Sequence, residues 1–332
     1  MHVVITGGAG FLGRRLTARL LERGSLKGAD GVSHPIERIT LVDLIASPVS
    51  DSRVACIAGD VANVALLERA VDRTALSIFH LAAVVSGMAE ADFDLGMRVN
   101  VDASRALLDV CRALGHRPRI VFASSVAVYG GELPEVVLDR TALMPQSSYG
   151  AQKAIVELLL SDYTRRGFID GRVLRLPTIS VRPGRPNAAA SSFASGIIRE
   201  PLNGEEAICP VPADTRLWLL SPATAVECLI ALHDASPTSL GLNRIVNAPG
   251  LSVTAGEMVA ALERIAGADV AARVRWERDP RIERIVASWP GAWDTSRARS
   301  LGLPSDASFE AVVRSYAEEF GVRGSGERGS GE

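Results

Sequence analysis

The sequence predicts an α/β chain, a doubly wound parallel sheet followed by a smaller C-terminal α/β lobe. Three observations carry this. Apolar segments of strand length alternate with helical periods from the first residues onward, a glycine cluster follows the first such strand directly, and beyond residue 177 the texture becomes shorter and broken by proline. Alternation of this kind implies right-handed crossovers, and therefore parallel strands.

Residues 1–6 lack the basic flank of a signal peptide and read as the first strand. Further strands are expected at 39–42, 54–58, 77–81, 119–123 and 171–176, separated by helical periods at 12–22, 62–71, 97–114 and 149–165. Glycine, serine and proline at 24–35 predict a long loop. After Pro177 come Pro183, Pro186, Pro201, Pro210, Pro212 and Pro222, with helices expected at 223–235, 255–266 and 309–320. The expected organisation is thus a dinucleotide-binding domain at 1–176, a substrate-binding lobe at 177–322 and a flexible tail at 323–332.

With 332 residues the chain buries enough surface to need no metal or disulfide staple, and its four cysteines form no CxxC pair. A reduced cytoplasm and no metal are expected. A net charge of −2 offers no field for nucleic acid or an anionic membrane, and no apolar run is long enough to span a bilayer. Of the 36 basic residues only Lys27 and Lys153 are lysines. In a chain that uses arginine wherever positive charge suffices, those two positions call for an explanation.

Gly7-Gly8-Ala9-Gly10-Phe11-Leu12-Gly13 follows the first strand and opens a helix. The first glycine permits a tight turn, the second lets backbone N–H groups approach a pyrophosphate, and the third lets helix pack on strand, as in a Rossmann sheet. Asp43 ends the second strand, where a carboxylate binds both adenine-ribose hydroxyls and repels a 2′-phosphate, predicting NAD over NADP. Asp60 and Val61 after the third strand are placed to meet the adenine. Leu81, Ala82 and Ala83 end the fourth with small side chains on which a dinucleotide can lie.

Tyr149 and Lys153 stand four residues apart, on one face of a helix. With four tyrosines and two lysines in the chain, chance supplies such a pair with a frequency of roughly 0.02. An ammonium there would lower the phenol's proton affinity, so that Tyr149 can take the proton of a substrate hydroxyl. Lysine suits the place because it is a compact point charge. Ser124 and Ser125 lie at the carboxyl end of the fifth strand, where Ser125 would orient the substrate oxygen; no G-x-S-x-G elbow makes it a nucleophile.

The glycine loop, Asp43, Asp60, the small residues after the fourth strand, Asn100-Val101, Ser125-x-x-Val128-Tyr129-Gly130 and Tyr149-x-x-x-Lys153 together resemble the extended short-chain dehydrogenase/reductases. That group includes nucleotide-sugar epimerases and dehydratases. The resemblance covers about residues 1–322. It implies bound NAD, a Ser125-Tyr149-Lys153 site, a C-terminal substrate lobe and often a dimer through a four-helix bundle. It also implies that Asn100 steadies the site from the helix behind it and that Pro177 lies at the cofactor.

Members that handle nucleotide-sugars carry an Arg-Asp-aromatic segment and a Val-x-Asp stretch in the second lobe. Here Arg216-Leu217-Trp218-Leu219-Leu220-Ser221-Pro222-Ala223 keeps the arginine and loses both aspartates. Hydroxyls and arginines cluster instead at 175–193, which suits a small polyol bearing a carboxylate, since guanidinium grips carboxylate bidentately. That stretch, with Tyr149-x-x-x-Lys153 and residues 197–202, resembles the members that oxidise C2 of a four-carbon sugar acid with NAD. Ser86, Ser125, Tyr149 and Thr178 are expected at the substrate, and Arg182, Arg185 and Arg216 are the candidates for its carboxylate, Arg182 first. An epimerase of a sugar or nucleotide-sugar would use the same triad and hand the hydride back. A protein that binds NAD without chemistry would have no use for the triad at all.

Overall fold

A computed structural model describes residues 1–184 and 189–321. The expected tail and Arg185 lie outside the described residues. Seven parallel strands form the large sheet: β1 (His2–Thr6), β2 (Arg38–Asp43), β3 (Val54–Ala58), β4 (Ala75–His80), β5 (Arg119–Ser125), β6 (Asp170–Leu176) and β7 (Ile245–Asn247). Their order is β7-β6-β5-β4-β1-β2-β3. The chain reverses direction across the sheet at β1 and β4, which opens a crevice at the carboxyl ends of those strands, where ligands of such sheets bind.

Both faces are covered. Val3 and Ile5 of β1 pack with Leu16 and Leu20 of the helix Phe11–Arg23 and with Val226 and Leu229 of the helix Pro222–Asp234. The alternate residue Val4 packs on the other face, with Leu66, Leu107 and Val156 of the helices Val64–Ala70, Ala103–Leu114 and Ser148–Arg165. Strand geometry requires this alternation, because successive side chains point to opposite faces.

The second lobe has its own core, built on a three-stranded sheet (Thr178–Ile179, Arg216–Leu220, Leu251–Thr254) and the helices Phe193–Leu202, Ala255–Ala266 and Phe309–Phe320. The boundary expected at residue 177 does not divide the large sheet cleanly. The helix Pro222–Asp234 and β7 come from beyond it, and β7 pairs with β6 from Ile245↔Val173 to Asn247↔Arg175.

Two local expectations need correction. The expected loop at 24–35 contains an antiparallel hairpin, Ser25–Lys27 with Ser33–Pro35. It is turned by Gly31 at φ 78° and by Asp30, whose carboxylate accepts from the Val32 N–H. The expected helix at 97–114 is two segments, a π-helical turn Met97–Asp102 and the α-helix Ala103–Leu114. Such turns occur often at functional sites.

The helix Ser148–Arg165 is tied down by charge as well as by packing. Glu157, with no exposure, takes a bidentate ion pair from Arg175 of β6, Nη2 to Oε2 at 2.6 Å and Nε to Oε1 at 2.9 Å. Ser124 of β5 donates to the same carboxylate at 2.5 Å. Arg175 Nη1 reaches the Tyr129 hydroxyl, which donates to Asn247 of β7 at 2.9 Å. Removing one partner of a buried pair strands the other charge in low dielectric. Glu157→Ala is therefore expected to cost about 3–5 kcal/mol in urea unfolding. Glu157→Leu combined with Arg175→Met should recover more than half of that loss; a double variant no more stable than Glu157→Ala would show that the cost is not electrostatic.

Candidate active site

The glycine loop leaves a space that side chains would close. A Cβ on Gly13 would come within 2.1 Å of the Gly7 carbonyl, and one on Gly7, at φ +72°, within 2.8 Å of Ala82 N. Gly10 caps the helix Phe11–Arg23 without any side-chain hydrogen bond, so the first N–H groups of a long helix point into that space. Aligned N–H donors and the positive end of the dipole suit a pyrophosphate. This is the fit expected for a bound dinucleotide.

A cavity of about 270 Å³ extends from the loop across the carboxyl ends of the strands. On the loop side it is lined by Gly7, Gly10, Phe11, Leu12 and Gly13. Leu81, Ala83, Ser86 and Pro177 line its middle, and Ser125, Tyr149, Lys153, Thr178 and Arg182 its far end. Sequence separation disappears here: residues from the first strand-helix turn and from the second lobe face one space.

The tyrosine and lysine are set by how their helix begins. The Ser147 hydroxyl accepts from the Gly150 N–H at 3.1 Å, and a Cβ on Gly150 would lie 2.0 Å from the Ala127 carbonyl, so the helix start sits directly on the turn after β5. Lys153, only 2% exposed, donates to the Ala123 carbonyl at 2.9 Å and lies 5.6 Å from the centre of the Tyr149 ring. Ser125 accepts from the Ala127 N–H at 3.2 Å. Ser124 points the other way, into the Glu157 ion pair, and is structural.

The expected lowering of the phenol's proton affinity is not what the protein alone produces. Burial pushes Tyr149 up to about 12, against the pull of the Ser125 hydroxyl and the Arg182 charge. Burial also pushes Lys153 down to about 7, with Glu157 opposing. Desolvation penalises both charged forms, and in this pocket it outweighs their attraction for neighbours.

Several expected contacts resolve differently. Asn100 is buried inside the π-helical turn, where its Oδ1 accepts from Val84 N at 2.8 Å and its Nδ2 donates to Val84 O and to Gln152 Oε1. It braces the segment after β4 against the Tyr149 helix and is not among the residues lining the cavity. Asp43 accepts from Ala9 N in the glycine loop at 3.0 Å through one oxygen. Asp60 pairs with Arg98 and accepts from Ala62 N at 2.9 Å, and Val61 turns its side chain into the core. Asp43, Asp60, Val61 and Ala82 lie outside the cavity wall.

Arg216 leaves the substrate set. It is half exposed, bonds Ser252 at 3.3 Å, faces Glu257 at 3.9 Å and lays its aliphatic stem against Gly291. Arg182 is the reverse case. It lines the cavity, and among the described residues no carboxylate pairs with it. Burial, then the neighbouring Arg199 charge, makes its guanidinium easier to discharge than usual, while Tyr149 favours the charged form.

Sequence reasoning missed Gln152, Glu157 and Trp289. Glu157 could have been found from its place four residues after Lys153 on a buried face. Trp289 also lines the cavity, and no spacing announces it.

The family described as "NAD dependent epimerase/dehydratase family" matches residues 3–218. Among curated proteins, the D-erythronate dehydrogenase of Cupriavidus necator is 62% identical over 97% of this chain and 99% of its own length. That of Haemophilus influenzae is 45% identical over 96% and 99%. A crystal structure described as a nucleoside-diphosphate-sugar epimerase from Agrobacterium tumefaciens is 44% identical, covers 97% of this chain and 95% of its own, and superposes with a TM-score of 0.91.

Between about pH 7 and 10.5 the unfolded chain binds more protons at Lys153 than the folded chain does. This residue's contribution to stability therefore grows more favourable as pH rises through that window. Urea unfolding should show the wild type gaining stability relative to Lys153→Met as pH is raised from the bottom of the window; a difference independent of pH would mean that the ammonium is solvated.

Proposed function

The chain belongs to the NAD dependent epimerase/dehydratase family, and we propose that it oxidises the C2 hydroxyl of D-erythronate with NAD, giving 2-dehydro-D-erythronate, NADH and a proton. The observation that carries this reading is the Arg182 guanidinium without a carboxylate partner among the described residues, lining the same cavity as Ser125, Tyr149 and Lys153. A desolvated cation beside an acid/base pair recognises a small hydroxy acid. The same cavity reaches from the glycine loop to Arg182, so the nicotinamide end of the dinucleotide and the substrate would meet within it.

When bound, NAD supplies the hydride acceptor and a positively charged ring. The chain's own residues do the rest. Arg182 grips the carboxylate and so fixes which carbon faces the nicotinamide; Ser125 bonds the C2 oxygen; Tyr149 takes its proton. Lys153 stands 5.6 Å from the centre of the phenol ring, where its protonated form favours the phenolate. Asp43 would hold the adenine-ribose hydroxyls, while one of its oxygens accepts from Ala9 N.

The assembly is proposed to be a homodimer. Ile155 and Leu158, three residues apart on the helix Ser148–Arg165, are 38% and 67% exposed, and Phe93 on the adjoining short helix is 58% exposed. Apolar patches of this kind mark contact surfaces. Leu158→Arg should convert the dimer to monomer in sedimentation; a wild type that sediments as a monomer would end the proposal. The four free cysteines, three of them buried, support a reducing compartment, the cytoplasm.

Purified protein given D-erythronate and NAD should release NADH stoichiometrically, whereas turnover with no net NADH would make it an epimerase. Tyr149→Phe is expected to lower kcat by about 10²–10⁴. Arg182→Ala should raise KM for D-erythronate by about ten- to a hundredfold, the worth of a hydrogen bond to a charged group. Unchanged kinetics in either variant would remove that residue from the site.

A further inference from the structure

One wall of the site cavity comes from a residue 140 positions beyond Tyr149. Trp289 follows the helix Pro280–Ala287 and lines the cavity together with Val126 and Thr178. The same three residues also line a second, much smaller cavity of about 10 Å³, whose remaining wall is Arg216, Leu217, Trp218 and Pro290. That space holds about one water molecule. Trp289 is the largest of the three residues that border both spaces.

The backbone around Trp289 is braced. Trp289 N bonds Val286 O at 3.0 Å, and the Gly291 carbonyl accepts from Ser252 at 2.7 Å. Val137 then takes both sides of the next residues, its N–H bonding Ala292 O at 3.0 Å and its carbonyl accepting from Asp294 N at 2.9 Å. The ring packs against two apolar clusters, that of the second lobe and the one holding Trp218, Trp293 and Tyr129. A side chain held this way cannot swing aside to admit a longer ligand without breaking packing in both.

We propose that Trp289 sets the length of the acid that the site accepts. Building on the hydroxy-acid reading above, its indole ends the space available beyond the reacting carbon, so a four-carbon chain fits and each further hydroxymethylene meets the ring. Cutting the ring back joins the two cavities and opens a path toward Arg216, whose guanidinium offers donors to additional hydroxyls.

The test compares sugar acids of four, five and six carbons that share one C2 configuration. In the wild type kcat/KM should fall by at least about tenfold at the first added carbon, the scale on which a rigid pocket resolves one carbon unit. Trp289→Ala should reduce that discrimination by about tenfold or more, chiefly by lowering KM for the longer acids, with D-erythronate turnover changed less. Trp289→Leu keeps an apolar filling for both clusters while shortening the ring, and should shift in the same direction if the alanine variant does not fold. A wild type that oxidises all three lengths equally well, or a length preference unchanged in the folded variants, overturns the proposal. Calorimetric titration of the same acids onto the NADH-bound protein separates this from the parent reading. If D-erythronate is not oxidised but the shortest acid still binds best and the variants relax that order, only the reaction assignment falls; binding indifferent to length removes the wall itself.

Discussion

The arrangement of the site depends on a carboxylate that never touches it. Glu157 lies one turn beyond Lys153, fully buried, and its two oxygens are divided between Arg175 on β6 and Ser124 on β5. Ser124 immediately precedes Ser125, so one anion fixes the helix carrying Tyr149 and Lys153 relative to the strand carrying Ser125. Through Arg175 and Tyr129 the connection continues to Asn247 on β7, the strand that returns from the second half of the chain. Buried ion pairs are weak evidence for stability, because desolvation offsets most of their attraction. What this one contributes is register: the pair satisfies its hydrogen bonds in a single placement of helix against sheet, and the triad takes its spacing from that placement.

The same burial that makes the placement sharp sets an electrostatic problem. Tyr149 holds its proton up to about 12 and Lys153 loses its own near 7, so the unliganded chain favours two neutral groups where the chemistry asks for charge. Glu157 opposes the discharge of Lys153, and Arg182 opposes the neutrality of Tyr149, yet neither overcomes desolvation. In the proposed reaction a cationic ring and an anionic substrate enter this site. Their charges and the water they displace are then part of the arrangement, which is a means of tying proton transfer to occupancy.

Lys153 and the glycine loop were legible in the sequence because their chemistry is local. Turn, helix start and phosphate cradle fall within seven residues, and phenol and ammonium within one helical turn, so spacing alone encodes geometry. The near-absence of lysine sharpened the signal: Lys27 is exposed on the hairpin after the first helix, while Lys153 is buried beside the tyrosine. The alternating strands and helices of the large sheet were legible for the same reason. The hairpin at 25–35 was not, since three-residue strands carry too little periodicity, and the π-turn was not, since a π-turn and an α-turn leave the same apolar pattern. β7 was missed because a buried strand of three residues inside an irregular stretch has no signature until it pairs.

Substrate recognition was the least legible part, and the reason is topological. Arg182 and Arg216 have the same side chain, and the strands beside them are neighbours in one small sheet; they part because Arg216 opens its strand at the solvent edge while Arg182 follows Thr178–Ile179 into the cavity. Trp289 comes from a segment that no periodic element announces, and the residues just after it are held by Ser252 and Val137, over 100 residues apart, through Gly291, Ala292 and Asp294. Catalytic groups have to meet at fixed distances whatever the substrate, so they sit on the long elements whose patterns can be read. Arg182 and Trp289, the groups proposed to choose the substrate, sit on short returns of chain, where a change of one side chain alters the cavity without disturbing the helix or the sheet. A family that shares its triad can therefore vary its substrates through these segments, and their positions become visible only once the chain has folded.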